Sequence, residues 1–280
     1  MSRTTPAMRR PRPTALLLPT AATLLLVAAC AGPAATPTST DDPSASPSEH
    51  GGTTTVAHWA YTGEEGADRW AELSEDYSAC GTGARQSPVD LPSELPEPTV
   101  DVVLDDGTVE GRVSDTGHVL QFDTTDSGDE HVLLGDRDLS LVQFHAHTPA
   151  EHSIAGERVD AEVHLVHADD EGLLVLGVPV RAGAENAVWV EFLAAAEGGD
   201  ALTLDVADLL PSTGRAYLYE GSLTTPPCSE TVQWVVLADA VEMSPAQVAA
   251  LSEAHGDNAR PVQPLAGRTV GGGALVLDEG

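Results

Sequence analysis

Two histidines one residue apart, His145 and His147, lie in the stretch Leu141-Val142-Gln143-Phe144-His145-Ala146-His147-Thr148-Pro149-Ala150-Glu151-His152. In an extended strand, residues two apart point to the same side. Gln143, His145 and His147 then line one face, and Leu141 continues it. Two imidazoles on a rigid strand supply two thirds of a zinc site, since zinc favours nitrogen ligands held in a tetrahedron. A His-x-His pair also arises by chance, so a third ligand decides its meaning. His164 is the best candidate. It lies in Ala161-Glu162-Val163-His164-Leu165-Val166-His167, which looks like the neighbouring strand after a turn near Ala155-Gly156. Glu162 stands two residues before His164, as Gln143 does before His145. A zinc-bound imidazole usually gives its other N–H to a carboxylate or carbonyl. Three histidines with no fourth protein ligand leave a position for water, whose pKa zinc lowers to near ~7.

These strands need a sheet to hold them. Residues 99–134 carry short alternating apolar runs separated by Asp-Gly and Asp-Ser-Gly turns, the pattern of antiparallel hairpins. Residues 173–180 are a nearly continuous apolar run, suited to a strand buried on both faces. A further strand spans 231–238. Residues 184–197 form the best helix candidate, with Val188, Phe192 and Leu193 on its apolar side. A short helical turn is predicted within 201–210. Ser244-Pro245 starts a second helix that runs to about Glu253, with serine as the cap and proline in the first turn. Aromatics make up only 4% of the chain, so the core must be largely Val, Leu and Ala. Trp59, Tyr61 and Trp70 are expected to cluster and pin the start of the domain. Many strands, few helices and no regular strand–helix alternation predict a mainly β fold. It is read as a single domain with a large central twisted, mostly antiparallel sheet and a few short peripheral helices.

All 13 basic residues are arginine, and they face 44 acids for a net charge of −31. That balance excludes nucleic-acid binding, or docking on an anionic membrane face, through a basic patch. Residues 1–29 combine an arginine-rich start with a short apolar run that ends Leu26-Val27-Ala28-Ala29-Cys30. This is a secretory-signal pattern, too short for a spanning helix. Small residues directly before Cys30 resemble a bacterial lipoprotein cleavage box. The resemblance implies lipid attachment at Cys30 and an anchor on the outer face of the cytoplasmic membrane, or on the periplasmic side where an outer membrane exists; an ordinary signal cleaved elsewhere, or an uncleaved anchor, is the alternative. Residues 30–55 are a Pro/Ser/Thr/Ala-rich tether expected to be disordered. One domain, 56–280, follows. Cys80 and Cys228 would share an oxidising compartment, where a disulfide is expected; two free buried thiols are the alternative. The bridge would close a loop of nearly 150 residues, stabilising by about 5 kcal/mol.

Six motifs in order resemble an α-class carbonic anhydrase: Trp59-Ala60-Tyr61, Gln86-Ser87-Pro88-Val89-Asp90, Gln143-Phe144-His145-Ala146-His147, Glu162-Val163-His164-Leu165-Val166-His167, Gly221-Ser222-Leu223-Thr224-Thr225-Pro226-Pro227 and Arg260-Pro261-Val262-Gln263-Pro264-Leu265. The resemblance implies a single catalytic zinc on His145, His147 and His164, with Gln143 and Glu162 orienting the first and third. It implies zinc-hydroxide attack on carbon dioxide to give bicarbonate and a proton. Thr224 would hydrogen-bond the hydroxide and donate to Glu151. Thr225 would neighbour it, and Val166, Val175, Leu223 and Trp234 would form the apolar wall where carbon dioxide rests. His118 would relay the proton. Cys80 and Cys228 match the disulfide positions of bacterial members.

Three positions depart from the family pattern. Ala146 stands where an aromatic residue is common and should point away from zinc. Thr148 replaces a frequent tryptophan, and Gln121 stands where asparagine is common in the polar wall. His152 and His167 are expected to be structural, while His50, His58, His131 and His255 have no assigned role. A non-enzymatic carbonic-anhydrase-like binding domain is the competing class, but such relatives usually lack a ligand histidine. A zinc hydrolase lacks support because there is no His-Glu-x-x-His helix. Oligomeric state is left unassigned.

Overall fold

In the computed structural model, residues 57–278 are described apart from 106, 127–129 and 212–213. The signal-like segment, the tether and Cys30 lie outside them. The described residues form four α-helices: α1 (Trp70–Leu73), α2 (Ala79–Thr82), α3 (Ala187–Gly198) and α4 (Pro245–His255). The strands are β1 (Asp90–Leu91), β2 (Pro98–Asp105), β3 (Thr108–Asp115), β4 (Leu120–Asp126), β5 (His131–Leu134), β6 (Arg137–His147), β7 (Ser153–Ile154), β8 (Ala161–Ala168), β9 (Leu173–Ala182), β10 (Ala201–Asp205), β11 (Gly214–Gly221), β12 (Val232–Leu237), β13 (Val241–Met243) and β14 (Gly271–Asp278).

Period-two alternation builds the outer strands. In β3, Val109, Gly111 and Val113 are buried between exposed neighbours. β9 is buried on both faces from Leu174 to Val180, as its apolar run predicts. Pairing runs from β6 through β8, β9, β12, β11, β14, β2 and β5, then returns to β6. β6 is the junction: β8 lies on one edge, and β5 and β4 share the other. The sheet is mixed rather than purely antiparallel, because β9–β12, β9–β13 and β2–β14 are parallel.

α4 begins with a capping box. The Ser244 side chain accepts from the Gln247 N–H, and the Gln247 side chain accepts from the Ser244 N–H. Within 201–210 the predicted helical turn is confined to a 3-10 turn at Val206–Leu209, because Ala201–Asp205 pairs with β3 as a strand. β14 carries no strand signal in its first half, Gly271-Gly272-Gly273. Glycine is nevertheless required there, since a Cβ at Gly272 would collide with the Pro96 carbonyl.

β6 breaks its own alternation once. Leu141 pairs with His167 and Gln143 with Val166, so Val142 is the extra residue of a β-bulge. The bulge changes the face on which side chains fall. Leu139 and Leu141 are buried in the main core with Phe144 and Ala146. Val142, Gln143, His145 and His147 line a cavity instead. Leu141 therefore does not continue the histidine face, contrary to the expectation from strict alternation. Ala146 does point away from the histidines.

The turn after β8 is held by Asp169. Its carboxylate accepts Arg137 Nε and Nη2 at 2.8 and 2.7 Å, and also the N–H groups of Glu171 and Gly172. The Arg137 hydrogen bond is the main cause lowering the Asp169 pKa to about 2, against a smaller opposing effect of burial. A depressed carboxyl pKa contributes stability above the unfolded value, and that contribution is lost as pH falls through the folded one. Asp169→Asn is expected to cost about 1 kcal/mol at pH 7, discounted for solvent screening. In urea titrations the deficit should shrink between about pH 4 and pH 2; a deficit independent of pH would refute the pair's role.

Candidate metal centre

β6 and β8 bring His145 directly opposite His164, and His147 follows on the same face of β6. Each ring has one nitrogen committed. His145 Nδ1 donates to Gln143 Oε1 at 2.8 Å. His147 Nδ1 donates to the Asn258 carbonyl at 2.8 Å, and His164 Nε2 donates to Glu162 Oε1 at 3.0 Å. The free nitrogens are therefore Nε2 of His145 and His147 and Nδ1 of His164. The three residues offer ligand atoms that all lie within 4.8 Å of one another. Burial pushes the pKa values of His145 and His147 down, and neighbouring imidazoles add to this at His145. Both rings are then neutral at pH 7, as metal ligands must be.

Two buried atoms at the cluster have no hydrogen-bond partner, His147 Nε2 and Glu151 Oε2. Orphaned buried polar atoms are costly in a finished fold. A divalent cation coordinated by nitrogen would satisfy the imidazole lone pair, and a cation beside it suits the carboxylate 3.7 Å away. The donor set of three neutral imidazoles suits zinc.

Glu162 is the next layer. Burial favours its neutral form, but electrostatic attraction to the His152 ring and hydrogen bonds from His152 and His164 hold its pKa well below the usual carboxylate range. Its Oε1 accepts from His152 Nδ1 at 2.6 Å, and its Oε2 accepts the His152 N–H at 2.8 Å. His152 Nε2 lies 2.6 Å from the Tyr219 hydroxyl, which donates to Ser87 Oγ at 3.0 Å. Gly177, opposite His164 on β9, makes room for the carboxylate, since a Cβ there would come within 2.9 Å of Glu162 Oε1. The expected structural role of His152 thus has a definite content: it holds the group that holds His164.

A cavity of about 440 Å³ opens above the three rings. Val166, Val175, Leu223 and Trp234 line it, together with Thr224 and Thr225. Val142, Leu173, Tyr61, Gln121 and His118 are also among its lining residues. His118 stacks on Trp59, with centroids 3.6 Å apart and planes 7° apart, and its Nε2 donates to the Trp59 carbonyl at 3.0 Å. Trp59, Tyr61 and Trp70 cluster as expected, with ring centroids 5.1–5.9 Å apart.

Thr224 sits in the loop before β12, which Cys228 joins to α2 by a disulfide with Cys80. Glu151 reaches the cluster, but no hydrogen bond joins it to Thr224 among the described residues. Its Oε1 accepts the Arg260 N–H at 2.7 Å. Arg260 is itself buried. Its guanidinium donates to Gln86 Oε1, Ser87 O and Cys80 O. Burial lowers its pKa to about 10, against the pull of Glu151, so it stays charged at pH 7. The sequence assigns no role to Asn258 or Arg260, and places Tyr61 only in the aromatic cluster, not in the cavity wall. Asn258 acts through a carbonyl, which any residue type could supply; Arg260 opens the Arg260–Leu265 motif, but its residue type does not show that its guanidinium is buried. Away from the cluster, His58, His131 and His255 lie beside Glu65, Asp138 and Asp115.

The profile of the eukaryotic-type carbonic anhydrase family matches residues 65–272. The chain is 35% identical over 229 residues to a carbonic anhydrase of Nostoc sp., covering 77% of this chain and 86% of the relative. It is 36% identical over 222 residues to one of Neisseria gonorrhoeae, covering 76% and 87%. Among solved structures, the α-carbonic anhydrase from Thermovibrio ammonificans in complex with the inhibitor sulfanilamide superposes with a TM-score of 0.72 at 35% identity, covering 77% of this chain and 99% of that one.

Single substitution of His145, His147 or His164 by alanine is expected to abolish stoichiometric zinc binding, read by dialysis followed by metal analysis. A variant that retained one equivalent of zinc would remove that residue from the ligand set.

Proposed function

The chain belongs to the eukaryotic-type (α) carbonic anhydrase family and is a carbonic anhydrase, acting on carbon dioxide and bicarbonate, and we propose that it works through one zinc held by His145, His147 and His164. The observation that carries this reading is the set of three free imidazole nitrogens, each fixed by a hydrogen bond on the opposite side of its ring. Zinc there would act as a Lewis acid, bringing the pKa of water to near ~7 so that a nucleophile exists at neutral pH.

The chain's own residues do the rest. Val166, Val175, Leu223 and Trp234 offer a neutral, linear substrate an apolar wall that needs no charged clamp. Thr224 donates to Glu151 during the reaction, so its oxygen can only accept from the attacking group and turns a lone pair of that group toward carbon dioxide. Glu151 Oε2 is available for this, since only Oε1 is engaged by Arg260. Thr225 borders the same space. His118 takes up the released proton at Nδ1, because its Nε2–H is committed to Trp59. An imidazole suits that transfer because it changes charge near neutral pH. The signal-like segment 1–29, with lipid attachment at Cys30 and the tether 30–55, would hold the enzyme outside the cytoplasm. The Cys80–Cys228 disulfide supports an oxidising location.

His118→Ala is expected to lower turnover in weak buffer by up to ~100-fold, with kcat/KM for hydration little changed. Added imidazole should restore part of the loss. Equal turnover of variant and parent in weak buffer would remove His118 from proton transfer.

A further inference from the structure

Behind the histidine face lies a second buried acid–base pair that the reaction does not use. Glu130 and His167 are both fully buried, and His167 Nε2 donates to Glu130 Oε1 at 2.9 Å. Glu130 Oε2 accepts the backbone N–H of Leu141 at 3.2 Å. Leu141 directly precedes the bulged Val142, and His167 is its partner across β8. From β4, the Thr124 hydroxyl lies 3.2 Å from the Leu141 carbonyl and 2.9 Å from that of Val142. Side chains therefore hold the bulge at the N–H of Leu141 and at both carbonyls.

Alternation sets His167 on the core face of β8 with Val163 and Leu165. A buried carboxylate–imidazole pair in such a place contributes little net stability beside well-packed apolar residues. What it adds is direction. A carboxylate that must accept two N–H groups at once tolerates only one alignment of β6 against β8, whereas apolar packing tolerates slippage. The alignment matters because the bulge decides the face of everything after it. If 143–147 slid by one residue to absorb Val142, His145 and His147 would turn into the core.

We propose that Glu130 is a positioning residue for the metal centre: with His167 and Thr124 it fixes the β6 bulge, and so sets His145 and His147 in register with His164. This rests on the metal reading of the three histidines. Glu130→Gln tests it at constant size, since one amide oxygen cannot replace both carboxylate contacts without turning its NH₂ toward a donor. Glu130→Leu combined with His167→Leu removes the pair altogether.

The measurements are zinc affinity by chelator competition, the visible spectrum of the cobalt(II)-loaded protein, and thermal unfolding of the metal-free protein. The double variant should unfold, metal-free, at or above the parent's temperature. Its zinc affinity should fall ~10- to 100-fold, with an altered cobalt spectrum. Parental affinity and spectrum in both variants would overturn the proposal. So would a loss of affinity no larger than the loss of metal-free stability, which is what a merely structural role predicts. Should the double variant not fold, Glu130→Gln decides by the same criteria. A parent protein that bound no zinc would instead remove the premise, and is distinguished by being seen before any variant is made.

Discussion

An imidazole can turn a lone pair toward a metal only when its proton sits on the other nitrogen and has somewhere to go. Three such destinations are needed here, and they come from three sources. Gln143 is local, two residues before its histidine on the same strand. Glu162 is equally local, but is itself held by His152, which leans on Tyr219 and Ser87. The third is the Asn258 carbonyl, 111 residues further along the chain. That carbonyl is aimed by its own side chain, whose oxygen accepts the Thr148 N–H at 2.7 Å and whose nitrogen donates to the His118 carbonyl at 3.1 Å. One buried asparagine thus joins the end of the ligand strand to the turn that carries His118.

The same economy appears in the loop that presents Thr224. This loop has no ladder to hold it, so it is fixed by separate contacts. The Leu223 N–H reaches the Ser229 carbonyl, and the Cys228 N–H reaches the Thr225 carbonyl. Gln86 donates to the Cys228 carbonyl, and the disulfide carries the restraint to α2. Arg260 closes the arrangement by donating to Gln86, Ser87 and the Cys80 carbonyl, while its backbone N–H binds Glu151. A cation that would be expensive to bury alone is here the tie between the disulfide region and the carboxylate beneath the cavity.

The ligand histidines and their local partners were legible in the sequence because strand periodicity is a short-range rule. Residues two apart share a face, and Gln143, His145, Glu162 and His164 obey it. The apolar wall was legible only through the family resemblance. Nothing local says that Val166, Val175, Leu223 and Trp234, from four separate segments, meet in one cavity. Asn258 was illegible for a different reason: its contribution to His147 is a backbone carbonyl, which leaves no mark in residue type. β11 and β14 were missed because Gly214, Gly221 and the Gly271–Gly273 run lower strand propensity, while close backbone approach makes some of those glycines necessary.

The bulge is the instructive case, because its signal was present. In β6 the core residues are Leu139 and Leu141, then Phe144 and Ala146. The buried positions change from odd to even numbers between 141 and 144. No regular strand can bury both pairs on one face, since a period of two preserves parity. Either one pair lies in the cavity, or the strand gains an extra residue between them. Val142 is that residue, 41% exposed and lining the cavity beside Gln143. The inserted residue lets one long strand serve two masters, an unbroken apolar core behind and a run of imidazoles in front. The parity change in the hydrophobic pattern, and not the His-x-His motif alone, specifies the face on which those imidazoles emerge.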